Sequence, residues 1–365
     1  VTVNNAWKVT TMRILRPAAA AAAVIASIVG PIAGPAAASP QALAAALAPV
    51  GNTSLAAEQA PRAAGAGLAG TAADGARVIA EQMVFWRTMD VTISSPAAGT
   101  DTTVRLLLPP GWSPSASRTW PVLYLLHGCC DTDQTWTQRT NVAQETQGAP
   151  VIIAMPDGGP VGFYSNWWNF GLGGKNWETY TATELPQILQ SGFRASAVRA
   201  IAGVSTGGGA ALFIAAHQPG GYVAAASYSG MDCTQQPAAV ATITAAILRT
   251  GIPPAGLWGD PVSQFPIWQD HNPCALAPSL RGTQLFLSVG SGLTLSGSQT
   301  TCSAGVTGNI LESVVATGVY TFAATLTVLG IPHTSDFYGG GCHDWPDWST
   351  AFDRSWPMLE AALGA

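Results

Sequence analysis

Gly203-Val204-Ser205-Thr206-Gly207 is the segment with the most specific chemistry in this chain. An apolar run, Val198–Ser205, leads into it, and a small-residue stretch, Gly208–His217, leaves it. A G-x-S-x-G between a strand and a helix reads as a nucleophile elbow, a tight turn that lifts the serine Oγ out of the sheet at the helix N-terminus. A serine hydroxyl is a weak nucleophile at neutral pH. It needs a base to take its proton and a carboxylate to orient that base. On such a scaffold the acid and then the histidine follow the serine in the chain.

Of the histidines beyond Ser205, His217 ends the helix leaving the elbow and points away from the active face. His271 lies in a Trp/Pro-rich insertion, and His333 comes before the last strand-like segment, at its wrong end. His343 follows that segment in Gly339-Gly340-Gly341-Cys342-His343, where glycines let the chain loop over the site, so topology favours His343 as base. The acid belongs between the last two strands. Glu312 is the one acid in that interval, with Asp336 and Asp270 as alternatives and a solvated helix position as its plainer reading. The oxyanion needs N–H donors: Thr206, just after the nucleophile, and Cys129, in the loop after an early His-Gly strand end. His127 precedes the serine and reads as a structural support for that loop.

Trp136, Phe163, Tyr164, Trp167, Trp168, Trp345 and Trp348 fall in loops after strand runs, where ligands bind on open α/β sheets. An aromatic cleft suits sugar faces or acyl chains. Trp136, Trp168 and Trp345 are the candidate substrate contacts, although any single tryptophan is more simply read as loop packing. No dinucleotide fingerprint, phosphate loop or metal-ligand spacing occurs, so neither a cofactor nor a metal is expected.

The elements that must position these groups alternate along the chain. Val84–Ser94 and Thr102–Trp112 read as early antiparallel strands. Trp120–Gly128, Ala149–Gly159, Val198–Ser205, Tyr222–Gly230 and Thr283–Gly292 are apolar runs suited to buried strands. Thr181–Gln190, Gly208–His217 and Gly308–Gly330 read as helices between them. The alternation predicts an α/β class chain with a doubly wound, mostly parallel sheet and antiparallel first strands, the α/β-hydrolase fold.

Residues 1–38 read as a leader. Met12 is a plausible start, Arg13 and Arg16 form a positive region, Ala18–Val29 is apolar, and Ala36-Ala37-Ala38 suits cleavage. Residues 39–77 are Ala/Gly/Pro-rich and read as a flexible segment, and 78–365 as the catalytic domain. No later stretch is expected to span a membrane. Export makes disulfides the natural reading of the six cysteines, and Cys233 with Cys274 is the preferred pair because both follow predicted strand or turn ends. A net charge of −5 with 10% charged residues argues against both disorder and a nucleic-acid surface.

Several segments then stand in a telling order: YLLHGCCDTDQTW, VIIAMPDGG, GFYSNWW, WETYTATELPQIL, GVSTGGGAAL, the Glu of ILES, and CHDWPDW. From about Val84 to Ala362 this order resembles the esterase D-like α/β-hydrolases, and more narrowly the antigen 85 mycolyltransferases. The resemblance carries the triad onto Ser205, Glu312 and His343 and the oxyanion donors onto Cys129 and Thr206. It implies an exported, monomeric serine acyltransferase of the cell envelope, which takes an acyl group from an ester lipid or glycolipid to a sugar or glycerol hydroxyl. The mycolyltransferases carry Asp-Gly-Leu-Arg where this chain has His127-Gly128-Cys129-Cys130, and the Asp and Arg of that stretch help hold trehalose. A secreted esterase using water is therefore the first rival reading. A non-catalytic surface-binding protein on the same fold is the second.

Overall fold

The computed structural model describes residues 62–63, 70–292, 302 and 304–365. The expected leader, 1–38, lies outside the described residues, as does 39–69 apart from 62–63. The strands are β1 (Arg62–Ala63), β2 (Arg77–Phe85), β3 (Thr88–Ser95), β4 (Thr100–Leu107), β5 (Trp120–Leu126), β6 (Ile152–Pro156), β7 (Ala195–Val204), β8 (Ala224–Tyr228), β9 (Gln284–Gly290) and β10 (Thr334–Tyr338). They form one sheet in the order β1-β2-β3-β4-β6-β5-β7-β8-β9-β10. The first four pair antiparallel, β4 joins β6 antiparallel, and the strands from β6 across to β10 run parallel. This is the expected α/β-hydrolase sheet. From β5 the chain goes to one side for β6 and to the other for β7, so a crevice opens at the C-terminal ends of β5 and β7.

The apolar strand runs are continuous because both faces of the sheet are covered. Val122, Tyr124 and Leu126 of β5 face one core, with Leu185, Ile188 and Leu189 and the elbow helix, Thr206–His217. Leu123 and Leu125 face the other, against Trp136, Phe352, Trp356 and Leu359. The alternation within a single strand follows from the two-residue side-chain period.

Two expectations about the early chain change. Val84–Ser94 is not one strand: β2 ends at Phe85, Trp86 turns at φ 44°, and β3 begins at Thr88. The tip carries none of the Gly or Asn residues that usually mark such a turn. Residues 70–77, at the end of the segment read as flexible, pack on the body. Thr71 N–H donates to Ser191 Oγ at 2.9 Å, Ala73 N–H to Gln187 Oε1 at 2.7 Å, and Ala76 is buried.

A third expectation concerns membrane spans. Thr307–Val328, within the helix Gly305–Val328, is 22 residues long with mean hydropathy 1.3, long and apolar enough to cross a membrane. Its Val315, Val319, Phe322 and Leu326 are instead buried in the core of the sheet's first face.

Candidate active site

The elbow is built by close approach of backbones. Ser205 has φ 54° and ψ −119°, a conformation an L-residue adopts only when its surroundings enforce it. A Cβ on Gly203 would overlap the Gly207 carbonyl, and one on Gly207 would overlap the carbonyls of His127 and Leu126. The motif's glycines are thus required by contact. Ser205 N–H donates to Tyr228 O at 2.9 Å, which pins the turn to the end of β8.

Ser205 Oγ lies 2.8 Å from His343 Nε2, and His343 Nδ1 lies 3.0 Å from Glu312 Oε2. Glu312 is fully buried, about two turns into the helix Gly305–Val328, and reaches back over the end of β9. Its Oε1 accepts Ser229 Oγ–H and Gly290 N–H, each at 2.8 Å. With Oε1 occupied in this way, Oε2 faces the imidazole, so Nδ1 carries the donated proton and Nε2 is free to accept one from Ser205. The geometry can pass the Ser205 proton to His343 while Glu312 holds the ring.

The other candidates sit elsewhere. Asp336 pairs with Arg354 at 3.0 Å and accepts from Ser288 Oγ at 3.0 Å. Asp270 is exposed and lies 3.5 Å from His217. His217 bonds Glu178 at 2.6 Å; burial pulls its pKa down, but Glu178 and Asp270 together leave it raised. His271 is buried, and burial lowers its pKa. His333 Nδ1 bonds the Ile331 carbonyl at 3.0 Å.

Cys129 and Thr206 face the same crevice as Ser205. Thr206 opens the elbow helix, where N–H groups lack an intrahelical acceptor. Its hydroxyl is tied down by Gly162 O at 2.9 Å. His127 shapes the opposite loop. Its Nε2 accepts Gly158 N–H at 3.2 Å, its Nδ1–H donates to Gly128 O at 2.8 Å, and its N–H bonds Tyr164 OH. This buried imidazole is the structural support read from the sequence. Burial pushes the Cys129 thiol pKa well up, and the hydrogen bond with Cys130 adds to it, so the group is a neutral thiol beside the serine.

A cleft of about 240 Å³ opens beside Ser205. Met231, Ala246, Leu311 and Trp348 give it an apolar wall, and Asp131 and Arg249 give it opposite charges. The expected tryptophans are not in this lining. Trp136 is fully buried in the second core, stacked edge-on against Trp345 and Phe352. Trp345 is buried between Trp136 and Trp348, and Trp168 is half-buried beside Phe170. The short helix Thr135–Arg139 carries Trp136 down onto the sheet, which removes it from the crevice. Trp348 takes the wall position, its ring 5.0 Å from that of His343. Its place, one turn into the helix Trp345–Leu363, was the available signal.

Cys233 and Cys274 are joined, with Cα atoms 5.1 Å apart, as preferred from the sequence. A second disulfide, Cys302–Cys342, was not foreseen. Among the described residues, the one grouping of metal-ligand types is Cys302, Cys342 and Asp344. Both of its sulfurs are in that disulfide and cannot serve as thiolates.

The Esterase family model matches residues 95–359. Esterase Rv1288 of Mycobacterium tuberculosis is 33% identical over 258 residues, 67% of this chain and 53% of that protein, so the chain spans about half the length of this relative. Diacylglycerol acyltransferase/mycolyltransferase Ag85B of Mycobacterium intracellulare is 28% identical over 286 residues, 74% of this chain and 82% of that protein. Among solved structures, Mycobacterium tuberculosis MPT51 (FbpC1) superposes with a TM-score of 0.62 at 22% identity, over 76% of this chain and 100% of that one, a likeness of fold. The matched stretch runs from the end of β3 to the last helix and contains the elbow, the buried glutamate and the histidine loop; the chain belongs to the Esterase family.

Proposed function

We propose that this chain is an exported serine acyltransferase working through an acyl-enzyme on Ser205. The observation that carries the reading is the unbroken line Ser205 Oγ, His343 Nε2, His343 Nδ1, Glu312 Oε2, with contacts of 2.8 and 3.0 Å. Ser205 attacks an ester carbonyl, and His343 takes its proton and returns it to the departing alcohol. The N–H groups of Cys129 and Thr206 hold the oxyanion. Deacylation repeats these steps with an incoming sugar or glycerol hydroxyl of the cell envelope. The leader-like residues 1–38 and the pair of disulfides support the export part of the reading.

Hydrolysis, with water as acceptor, is the second reading. It is favoured by His127 and Cys130, which stand where the mycolyltransferases carry the Asp and Arg that help hold trehalose. Intact-mass and peptide analysis after mixing with p-nitrophenyl butyrate tests both readings. An acyl adduct on Ser205 is expected. Glycerol or trehalose should shorten its lifetime and appear as the acylated product, whereas an adduct indifferent to every alcohol leaves the hydrolase. No adduct at Ser205 would sink the whole scheme.

A further inference from the structure

The acid and the base reach the site on separate segments, and a covalent bond ties these together. Cys302 stands just ahead of the helix that carries Glu312, and Cys342 directly precedes His343. The Cα atoms of this disulfide are 5.4 Å apart. The base loop contains Gly339, Gly340 and Gly341, the last two at φ 78° and 86°, so its own backbone does little to restrict it. Two weaker ties join the loop to the first turns of the helix: His343 N–H to Gly308 O at 3.2 Å, and Asn309 Nδ2 to Gly341 O at 2.9 Å. Single hydrogen bonds of this kind contribute about 0.5–1.5 kcal/mol each. Gly308 lies under the bridge, and a Cβ there would sit 2.7 Å from both sulfurs. The helix, the loop and the disulfide therefore fit together as one joint.

We propose that Cys302–Cys342 is a positioning element of the active site, holding His343 against Glu312 so that full turnover requires this pair to be oxidised. The proposal rests on the reading of Ser205, His343 and Glu312 as a triad. Forming the bond removes two electrons and two protons from the two thiols. A small-molecule or protein disulfide takes them up and is itself reduced to two thiols; a dithiol reverses the exchange. Cys233–Cys274 serves as the comparison. It joins the segment after β8 to the short helix Pro273–Leu276, and neither of its cysteines adjoins a proposed triad residue in the chain.

The test is the rate at which a small fluorophosphonate labels Ser205 in the full chain, measured alongside kcat, KM and Tm. Labelling reads activation of the nucleophile with little dependence on cleft contacts. Cys302→Ser/Cys342→Ser is expected to slow labelling and kcat by about 10–100-fold, since small displacements of reacting groups cost up to about that much. KM should change far less. Cys233→Ser/Cys274→Ser should lower Tm yet keep the labelling rate within about threefold. Dithiothreitol should slow folded wild type and leave the Cys302/Cys342 variant unchanged, which keeps the question answerable if that variant folds poorly. A labelling rate near wild type in the folded variant, or in reduced wild type with Cys302 and Cys342 shown open by alkylation, would overturn the proposal. If wild type is not labelled at Ser205 at all, the triad reading itself has failed, a separate result.

Discussion

Ser229, at the end of β8, donates its hydroxyl to Glu312 Oε1 at 2.8 Å, joining two residues 83 positions apart in the chain. With Gly290 N–H on the same oxygen, this fixes which carboxylate oxygen faces His343. Ser229→Ala should therefore act through Glu312. A fall in kcat of roughly 10–100-fold is expected, the worth of one charge-assisted hydrogen bond, with KM little changed. Equal effects on kcat and KM, or none on either, would remove Ser229 from this role.

Glu312→Gln keeps the size and loses the charge. It should lower kcat by about 10²–10⁴, since the carboxylate both orients the imidazole and stabilises the imidazolium. Asp336→Asn and Asp270→Asn should stay within roughly tenfold of wild type, because neither meets His343. A near-normal Glu312→Gln beside a collapsed aspartate variant would transfer the acid role.

Ser205→Ala should abolish ester cleavage, with a loss on the order of 10⁴–10⁶ in turnover. The strained backbone supplies a second readout. Ser205→Gly should be more stable than Ser205→Ala by about 1–2 kcal/mol, because glycine adopts φ 54° without steric cost. Denaturant midpoints of the two inactive variants decide this, and equal midpoints would count against strain at the elbow.

Asp232 is fully buried, with Ser227 Oγ–H donating to its Oδ1 at 2.8 Å. Burial pushes its carboxyl up to about 7 from 3.8, the Ser227 bond opposing. The folded chain thus keeps a proton that the unfolded chain releases above about pH 4. A folded state that binds more protons loses stability as pH rises. The contribution is complete below about pH 4, declines by up to roughly 1.4 kcal/mol per unit, and levels off above about pH 7. Asp232→Asn should flatten that decline between pH 5 and 8 in urea titrations. An unchanged slope would mean that Asp232 is ionised in the fold.

Trp136→Ala and Trp348→Ala should separate packing from the cleft. Trp136→Ala opens a cavity in the core and should cost about 3–5 kcal/mol of stability, with turnover per folded molecule largely retained. Trp348→Ala should alter turnover or substrate preference more than its stability loss explains, since its ring meets His343. The reverse pattern would restore Trp136 as a substrate contact.

What could be read from the chain follows from range. Ser205 was legible because the elbow is local: strand, turn and helix lie within a few residues of the nucleophile. His343 and Glu312 were legible through chain order, which the sheet topology enforces. The tryptophans were not. Trp136 and Trp348 both follow strand ends, and only the docking of their helices decides which is buried and which borders the cleft. Ser229 fell inside the strand run Tyr222–Gly230, and its bond to Glu312 depends on a helix more than eighty positions away. The hairpin tip at Trp86 was missed because an ordinary tryptophan holds a conformation that sequence rules reserve for glycine or asparagine.

The bridge and the residues beside it have a consequence for how the chain comes into being. Ser205, Cys129 and Thr206 all precede Gly207, whereas Cys302, Glu312, Cys342 and His343 all lie beyond Gly292. Made from its N-terminus, a growing chain holds the elbow long before it holds a base. On the proposed reading the serine stays unreactive towards esters throughout synthesis. A fragment ending before β10 carries Ser205 without the proposed base, so incomplete or clipped chains lack the activated nucleophile.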